Sequence, residues 1–260
     1  MKSTRLLVPA CALSLCTMIA SPAMADVTLK SKGSGKGMMN TMAGDMTQSL
    51  KGQKMRTDQT IGGGKQLTTI IDAGARQMIV IDHEKKEADV IDMNTINESM
   101  SKAGVADVQA SVTPTAQTRQ IAGSTCTVYD VKVSVPMQMG GAPMTMVMGG
   151  PYCLVKNGPG HADFAAFYRA AAEKGFFLDA NQAKSQPAAA KAMAEMHRKM
   201  ADLGVPFATE TNITMEASGP MAELMKKMGN TISTEVTSVS TAAIPDTAFE
   251  VPAGYKTKKR

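Results

Sequence analysis

Methionine is the residue type in this sequence that could most readily do chemistry, with 23 copies among 260 residues. Five of them alternate with other residues around a Gly-Gly-Ala-Pro segment: Met137, Met139, Met144, Met146 and Met148. Thioethers are soft ligands, and M-x-M spacing in an exported protein suits Cu(I). Alternation also places side chains on one face of a hairpin, and methionine fills irregular apolar space. The spacing leaves both a copper site and an apolar packing surface open.

The usual signatures of an enzyme are missing from the sequence. It contains no H-E-x-x-H and no G-x-S-x-G motif. Residues 62–65 read Gly-Gly-Gly-Lys, but Gln59 and Gln66 stand where a phosphate-binding loop has Gly and Ser or Thr. The three histidines are isolated from one another: His83, His161 and His197. We therefore expect no catalytic residues, no enzymatic activity and no cofactor.

The first 25 residues have the pattern of a cleaved signal peptide. Lys2 and Arg5 precede an apolar run over residues 6–20, and Ala-Met-Ala at 23–25 is a small-x-small cleavage site. Lipidation at Cys16 is the alternative, but a leucine precedes it where a small residue is expected. We expect a periplasmic or secreted protein that consists of residues 26–260.

The charge of the chain indicates few electrostatic partners. The formal net charge is +5, too small in an exported chain to predict a nucleic-acid partner. Part of the excess is a short basic C-terminal tail: Lys256, Lys258, Lys259 and Arg260. Such a run is usually a solvated end, and it could also be attracted weakly to an anionic membrane surface. The sequence does not indicate an oligomeric state.

Two cysteines remain after the signal peptide, Cys126 and Cys153. An even pair in an oxidising compartment predicts one disulfide. The loop that it closes implies a stabilisation of about 3.5 kcal/mol in the chain-entropy model. A zinc site is disfavoured because the pair has no nearby histidine.

Hydrophobic patterning predicts an α+β fold in a single domain. Short alternating segments bounded by turn signals predict antiparallel strands. The predicted strands are residues 27–31, 45–51, 54–61, 66–72, 77–82, 87–92, 108–120, 125–136, 145–156, 207–215 and 231–240. Apolar residues at helical spacing predict helices near 162–174, 187–203 and 220–228. No linker divides the segments.

The helical faces are the candidate ligand-binding surface. We expect these side chains to face the sheet and to contact an apolar ligand: Phe164, Phe167, Met193, Met196, Met200, Met225 and Met228. Methionine suits this role because it can repack around apolar partners of different shape.

Several phrases, in order, carry a resemblance to a known family. They are LKGQKMRTD at residues 50–58, IID at 70–72, IAGxxCxxY at 121–129 and FEVPAGY at 249–255. The chain resembles the bacterial exported "domain of unknown function 4412" family, which is similar to the outer-membrane lipoprotein carrier (LolA-like) superfamily. The resemblance implies a strongly curved antiparallel sheet, like an incomplete barrel, with helices covering its open face. In the superfamily the space between them holds lipid acyl chains, and no catalytic residues carry over.

Three functions follow as hypotheses. The first is a non-catalytic carrier or binding protein for a lipid acyl chain or another apolar ligand. The second is a methionine-rich Cu(I)-binding protein. The third is an envelope interaction domain with a filled core. A pocket lined by the methionines favours the first, and sulfurs converging on one exposed point favour the second.

Overall fold

The computed structural model describes residues 26–37, 43–94, 109–139, 142–174, 187–217 and 230–259. In these residues the chain forms one sheet of twelve strands and two α-helices. The strands are β1 (Val27–Lys36), β2 (Gly44–Lys51), β3 (Lys54–Ile61), β4 (Lys65–Asp72), β5 (Gln77–Asp82), β6 (Glu87–Asp92), β7 (Gln109–Ile121), β8 (Ser124–Met139), β9 (Ala142–Val155), β10 (Val205–Ala217), β11 (Asn230–Ser240) and β12 (Lys256–Lys259). The helices are α1 (His161–Lys174) and α2 (Pro187–Ala201). The predicted α+β class is confirmed, with an open curved sheet.

The sheet consists of two meanders joined side by side. Its order is β12-β6-β5-β4-β3-β2-β1-β11-β10-β9-β8-β7. Strands that follow one another in sequence pair within β1 to β6 and within β7 to β11. The antiparallel β1–β11 pair then connects the two halves. The sheet does not close into a barrel, since β12 and β7 stand at opposite ends of the order among the described strands.

The β7 end of the sheet curls back over its middle. Arg119 Nη2 on β7 lies 2.6 Å from Glu235 Oε2 on β11, although three strands separate them in the sheet. Gly150 in β9 has a φ of 151°, and a Cβ there would lie 2.3 Å from the Glu210 carbonyl oxygen. Only glycine permits that approach, so the glycine lets β9 lie close to the Glu210 carbonyl of β10.

The C-terminal tail is a strand, which corrects two predictions from the sequence. β12 pairs with β6 in parallel, so the sheet is not purely antiparallel and the basic tail is not simply a solvated end. The Lys258 ammonium donates to Glu87 Oε2 at 2.7 Å. The backbone groups at the β6 edge would otherwise lack partners, and β12 satisfies them while its own side chains stay exposed.

The segment before β12 covers one face of β4 to β6. Ile244 and Phe249 are buried against Ile70, Ile79 and Ile81. The Arg56 guanidinium also donates to the Ala248 carbonyl at 2.7 Å. This face of the first meander is therefore filled by the chain itself.

A chain of hydrogen bonds fastens the same segment to the sheet. Thr68 Oγ1 donates to Asp58 Oδ1 at 2.6 Å and is 2.8 Å from His83 Nε2. His83 Nδ1 is 3.0 Å from the Tyr255 hydroxyl. Because Thr68 donates to the carboxylate, its hydroxyl oxygen accepts from His83 Nε2–H. His83 thus links Thr68 of β4 to Tyr255, directly before β12.

The two helices pack against the sheet in two separate core clusters. Phe164 and Phe167 of α1 are buried in a cluster with residues of the first meander such as Val27 and Leu50. Met196 and Met200 of α2 are buried against Val131 and other β8 residues. The two helices match the predicted positions, with α2 ending at Ala201 rather than 203. The coverage of the open face by helices stays a prediction, and the third helix, 220–228, lies outside the described residues.

The predicted disulfide is present. Cys126 of β8 and Cys153 of β9 are bonded with an S–S distance of 2.02 Å. Both residues are buried, at 1% and 2% exposure. The bond crosses between neighbouring strands close to the place where β7 curls over β11.

Candidate functional site

A cleft lies between α1, α2 and the edge strand β7. Its volume is about 550 Å³. Its lining comes from all three elements: Gln109, Ala110, Ala172, Glu173, Ala194, Glu195, Arg198 and Lys199. Three alanines form the apolar part of its lining, which we call the floor, and Gln109 with four charged side chains forms the rest, which we call the rim. Small-molecule sites likewise combine apolar surface with polar groups.

Polar contacts hold α2 beside the edge strand. Lys199 Nζ donates to the Ala110 carbonyl oxygen of β7 at 2.6 Å. Within α2, Arg198 forms two hydrogen bonds with Glu195, at 2.7 and 3.1 Å. Lys199 therefore links α2 to β7 by a direct hydrogen bond beside the cleft.

A methionine cluster lies next to the cleft. Met196 and Met200 are 3% and 2% exposed, and they pack with Met146 of β9. Further methionines pack against the same cluster with partial exposure: Met148, Met193 and Met215. Ala110 packs against this cluster and also lines the cleft. The cleft floor and the methionine cluster are thus continuous.

A histidine is enclosed between the two helices. The His197 ring of α2 stacks on the Tyr168 ring of α1, with centroids 4.8 Å apart and planes 11° from parallel. His197 Nδ1 is 2.8 Å from the Met193 carbonyl oxygen. Burial lowers the pKa of His197 to about 4, and burial raises the pKa of Tyr168 to about 12. Both rings are therefore neutral at neutral pH.

The neutral state of His197 predicts that acid weakens the protein. Because the folded-state pKa is about 4 and the ordinary value is 6.5, the unfolded chain takes up a proton first as the pH falls. The stabilising contribution is complete above about pH 6.5 and is lost as the pH falls towards 4, by up to about 3 kcal/mol. Urea denaturation at pH 7 and pH 4.5 measures this loss.

His197→Phe is the matched variant for that measurement, because it keeps an aromatic ring on Tyr168 and removes the titration. We expect the variant to lose less stability than the wild type between the two pH values. Equal losses in the two proteins would show that His197 does not titrate as the geometry implies.

The structure places the predicted ligand-binding residues in two groups. Met193, Met196 and Met200 belong to the cluster that packs against Ala110, and none of the three lines the cleft. Phe164 and Phe167 belong to the other core cluster and do not line the cleft. Met225 and Met228 lie outside the described residues. Their role in ligand binding stays a prediction.

The methionines proposed as copper ligands lie on the β8–β9 hairpin. Met144 and Met146 are buried, at 6% and 9% exposure, and Met148 is partly exposed. Met137 and Met139 occupy β8, opposite Met144 and Ala142 in the register. Burial of two of the five agrees with a packing surface. In the described part of the chain, no group of three His, Cys, Asp or Glu side chains could hold a metal ion.

Sequence reasoning missed most of the cleft. Three of its residues are alanines, Ala110, Ala172 and Ala194. An alanine side chain has no reactive group, so the sequence contains no signal that these positions line a cleft. The one visible signal is the Glu195 and Lys199 pair, four residues apart on a helix, which sequence alone explains as helix stabilisation.

One buried carboxyl group was also not foreseen. Asp163 in the first turn of α1 is 1% exposed, and burial raises its pKa. It does not line the cleft between the helices, so it is not positioned as an acid for a ligand there.

The cleft lies in a chain part of which matches a family model. Residues 36–139 match the sequence model of the Domain of unknown function (DUF4412). The predicted resemblance is confirmed. The DUF4412 match runs from the end of β1 to the end of β8, so it includes Ala110 of the cleft but neither helix. No curated protein matches the sequence.

Solved structures show only distant similarity. PNGF-II is 12% identical with a TM-score of 0.37, and the alignment covers 91% of this chain and 32% of that one. The chain thus spans about a third of PNGF-II. The lipoprotein LppX of Mycobacterium tuberculosis is 8% identical with a TM-score of 0.33, covering 84% of this chain and 89% of LppX.

A putative outer membrane lipoprotein-sorting protein domain from Vibrio parahaemolyticus is 9% identical with a TM-score of 0.31, covering 88% of this chain and 91% of that one. Scores of this size transfer no site to this chain. Across the described ranges, no helix combines the length and apolarity needed to cross a membrane.

Proposed function

We propose that this protein binds an apolar ligand, a lipid acyl chain, without chemical conversion. The observation that carries the proposal is the cleft of about 550 Å³ whose alanine floor continues into the methionine cluster. An acyl chain gains about 0.8 kcal/mol for each methylene that leaves water. Ten such groups outweigh an association cost of several kcal/mol.

The methionines supply a mechanism for ligand entry. Met193 is partly buried and precedes Ala194 of the cleft, while Met196 and Met200 are buried in the cluster that packs against Ala110. Methionine has flexible torsions, so these side chains can repack around an inserted chain without breaking hydrogen bonds. Movement of α2 away from β7 would break the hydrogen bond from Lys199 to the Ala110 carbonyl.

Filling the cleft tests the proposal. Ala194→Trp places a large ring in the cleft, and we expect it to weaken binding of the uncharged fluorescent probe N-phenyl-1-naphthylamine at least tenfold. Ala162→Trp, at an exposed position in the first turn of α1, is the matched control and should bind like the wild type. Fluorescence titration of the three proteins measures the effect.

Two results would contradict the acyl-chain proposal. One is a wild-type protein that does not bind the probe, which would favour the filled-core interaction domain. The other is equal binding by both tryptophan variants, which would place the probe elsewhere. Tight Cu(I) uptake that is lost on replacement of Met144 and Met146 would favour the metal function instead.

We also propose that the chain is exported and that residues 26–260 form one domain. The side chain of Asp26 supports a domain that begins there, because its Oδ2 accepts from the Ile244 backbone N–H at 2.6 Å. The disulfide supports an oxidising compartment. We expect mass spectrometry of a periplasmic fraction to give the intact mass of a chain that begins at Asp26. A lipid adduct on Cys16 would overturn this proposal.

A further inference from the structure

The rim of the cleft carries charges of both signs. Glu173 stands near the end of α1, while Glu195, Arg198 and Lys199 stand on α2. Arg198 and Lys199 are exposed, with side-chain exposures of 58% and 40%. The rim is therefore available to a ligand group at the surface.

Pairing within α2 neutralises part of this charge. Arg198 and Glu195 satisfy each other through two hydrogen bonds. The Lys199 ammonium donates one of its three N–H groups to the neutral Ala110 carbonyl, and its Nζ lies 3.9 Å from Glu195 Oε1. The charges left to act on a ligand are mainly the Lys199 ammonium on α2 and the Glu173 carboxylate on α1.

The two remaining charges select among ligand heads. A purely anionic head is attracted by Lys199 and repelled by Glu173, and a cationic head meets the reverse. A head with both charges can place its anionic group at Lys199 and its ammonium at Glu173. An uncharged head gains from neither.

We propose that the ligand is a zwitterionic amphiphile, with its apolar chain on the alanine floor and its two opposite charges at Lys199 and Glu173. This inference rests on the proposed function, because it assigns the head of the same ligand whose chain occupies the cleft. The head group stays at the surface, where both side chains reach water.

The test compares three lauroyl lipids that differ only in the head: a zwitterionic lysophosphatidylethanolamine, an anionic lysophosphatidylglycerol and an uncharged monoacylglycerol. Each displaces N-phenyl-1-naphthylamine from the wild type below its critical micelle concentration. We expect the zwitterionic lipid to bind at least threefold more tightly than the other two.

Two charge variants test the assignment of each group. Glu173→Gln should remove the preference for the zwitterionic over the anionic lipid. Lys199→Gln should weaken both phosphate-bearing lipids at least threefold more than it weakens the uncharged lipid, and that comparison removes any effect of losing the hydrogen bond to the Ala110 carbonyl. Lys132→Gln, an exposed position on β8, is the control for loss of one positive charge and should change nothing.

Equal displacement by the three lipids, or a preference that neither rim variant alters, would overturn the inference while the apolar site stands. A wild type that does not bind even the uncharged probe would overturn the proposed function itself.

Discussion

Replacing Met200 with Asp is expected to lower the free energy of unfolding by at least about 4 kcal/mol. Met200 is 2% exposed and packs with Met196 and with valines of β8. The substitution removes the apolar contacts and places a carboxyl group where water does not reach it. Urea denaturation at pH 7 is the measurement.

Met200→Leu is the control, because it conserves volume and polarity. We expect it to cost less than about 1.5 kcal/mol and to retain probe binding. If the free energy of unfolding of the Asp variant were within about 1 kcal/mol of the wild-type value, α2 would not be packed on the sheet as described. The cleft between α2 and β7 would then also be wrong.

Removal of the disulfide is expected to have the next largest effect. The Cys126–Cys153 bond spans a sequence separation of 27 residues, for which the chain-entropy model gives about 3.5 kcal/mol. The double variant Cys126→Ala and Cys153→Ala should lose about this much stability, measured by urea denaturation.

Dithiothreitol supplies the internal control for this prediction. The wild type should lose a similar amount of stability under reducing conditions, while the double variant should be insensitive to the reagent. A wild type that is equally stable with and without reductant would contradict a stabilising role of the bond.

The strands were predictable because their signals are local. Alternation of apolar and polar residues with turn residues between them predicts β3, β5 and β6 with the bounds that the structure shows. The helices α1 and α2 were predictable to within two residues at each end, because their apolar residues recur at helical spacing. The disulfide followed from there being only two cysteines after residue 25, Cys126 and Cys153.

β12 could not be predicted in this way. Its sequence, Lys-Thr-Lys-Lys, has no apolar alternation, and it becomes a strand only because β6 offers an unpaired edge at the right place. Gly150 is a similar case, since the need for glycine there depends on the carbonyl of Glu210 in another strand.

The candidate site divides along the same line. The sequence by itself determined that methionines on a helical face would be buried, because their spacing along α2 repeats with the helix, and Met196 and Met200 are. Only the tertiary structure decided where a cleft remains, because Ala110, Ala172 and Ala194 come from three elements far apart in sequence. A cavity exists where the packing of those elements leaves space, and that space depends on their relative positions rather than on any pattern within one of them.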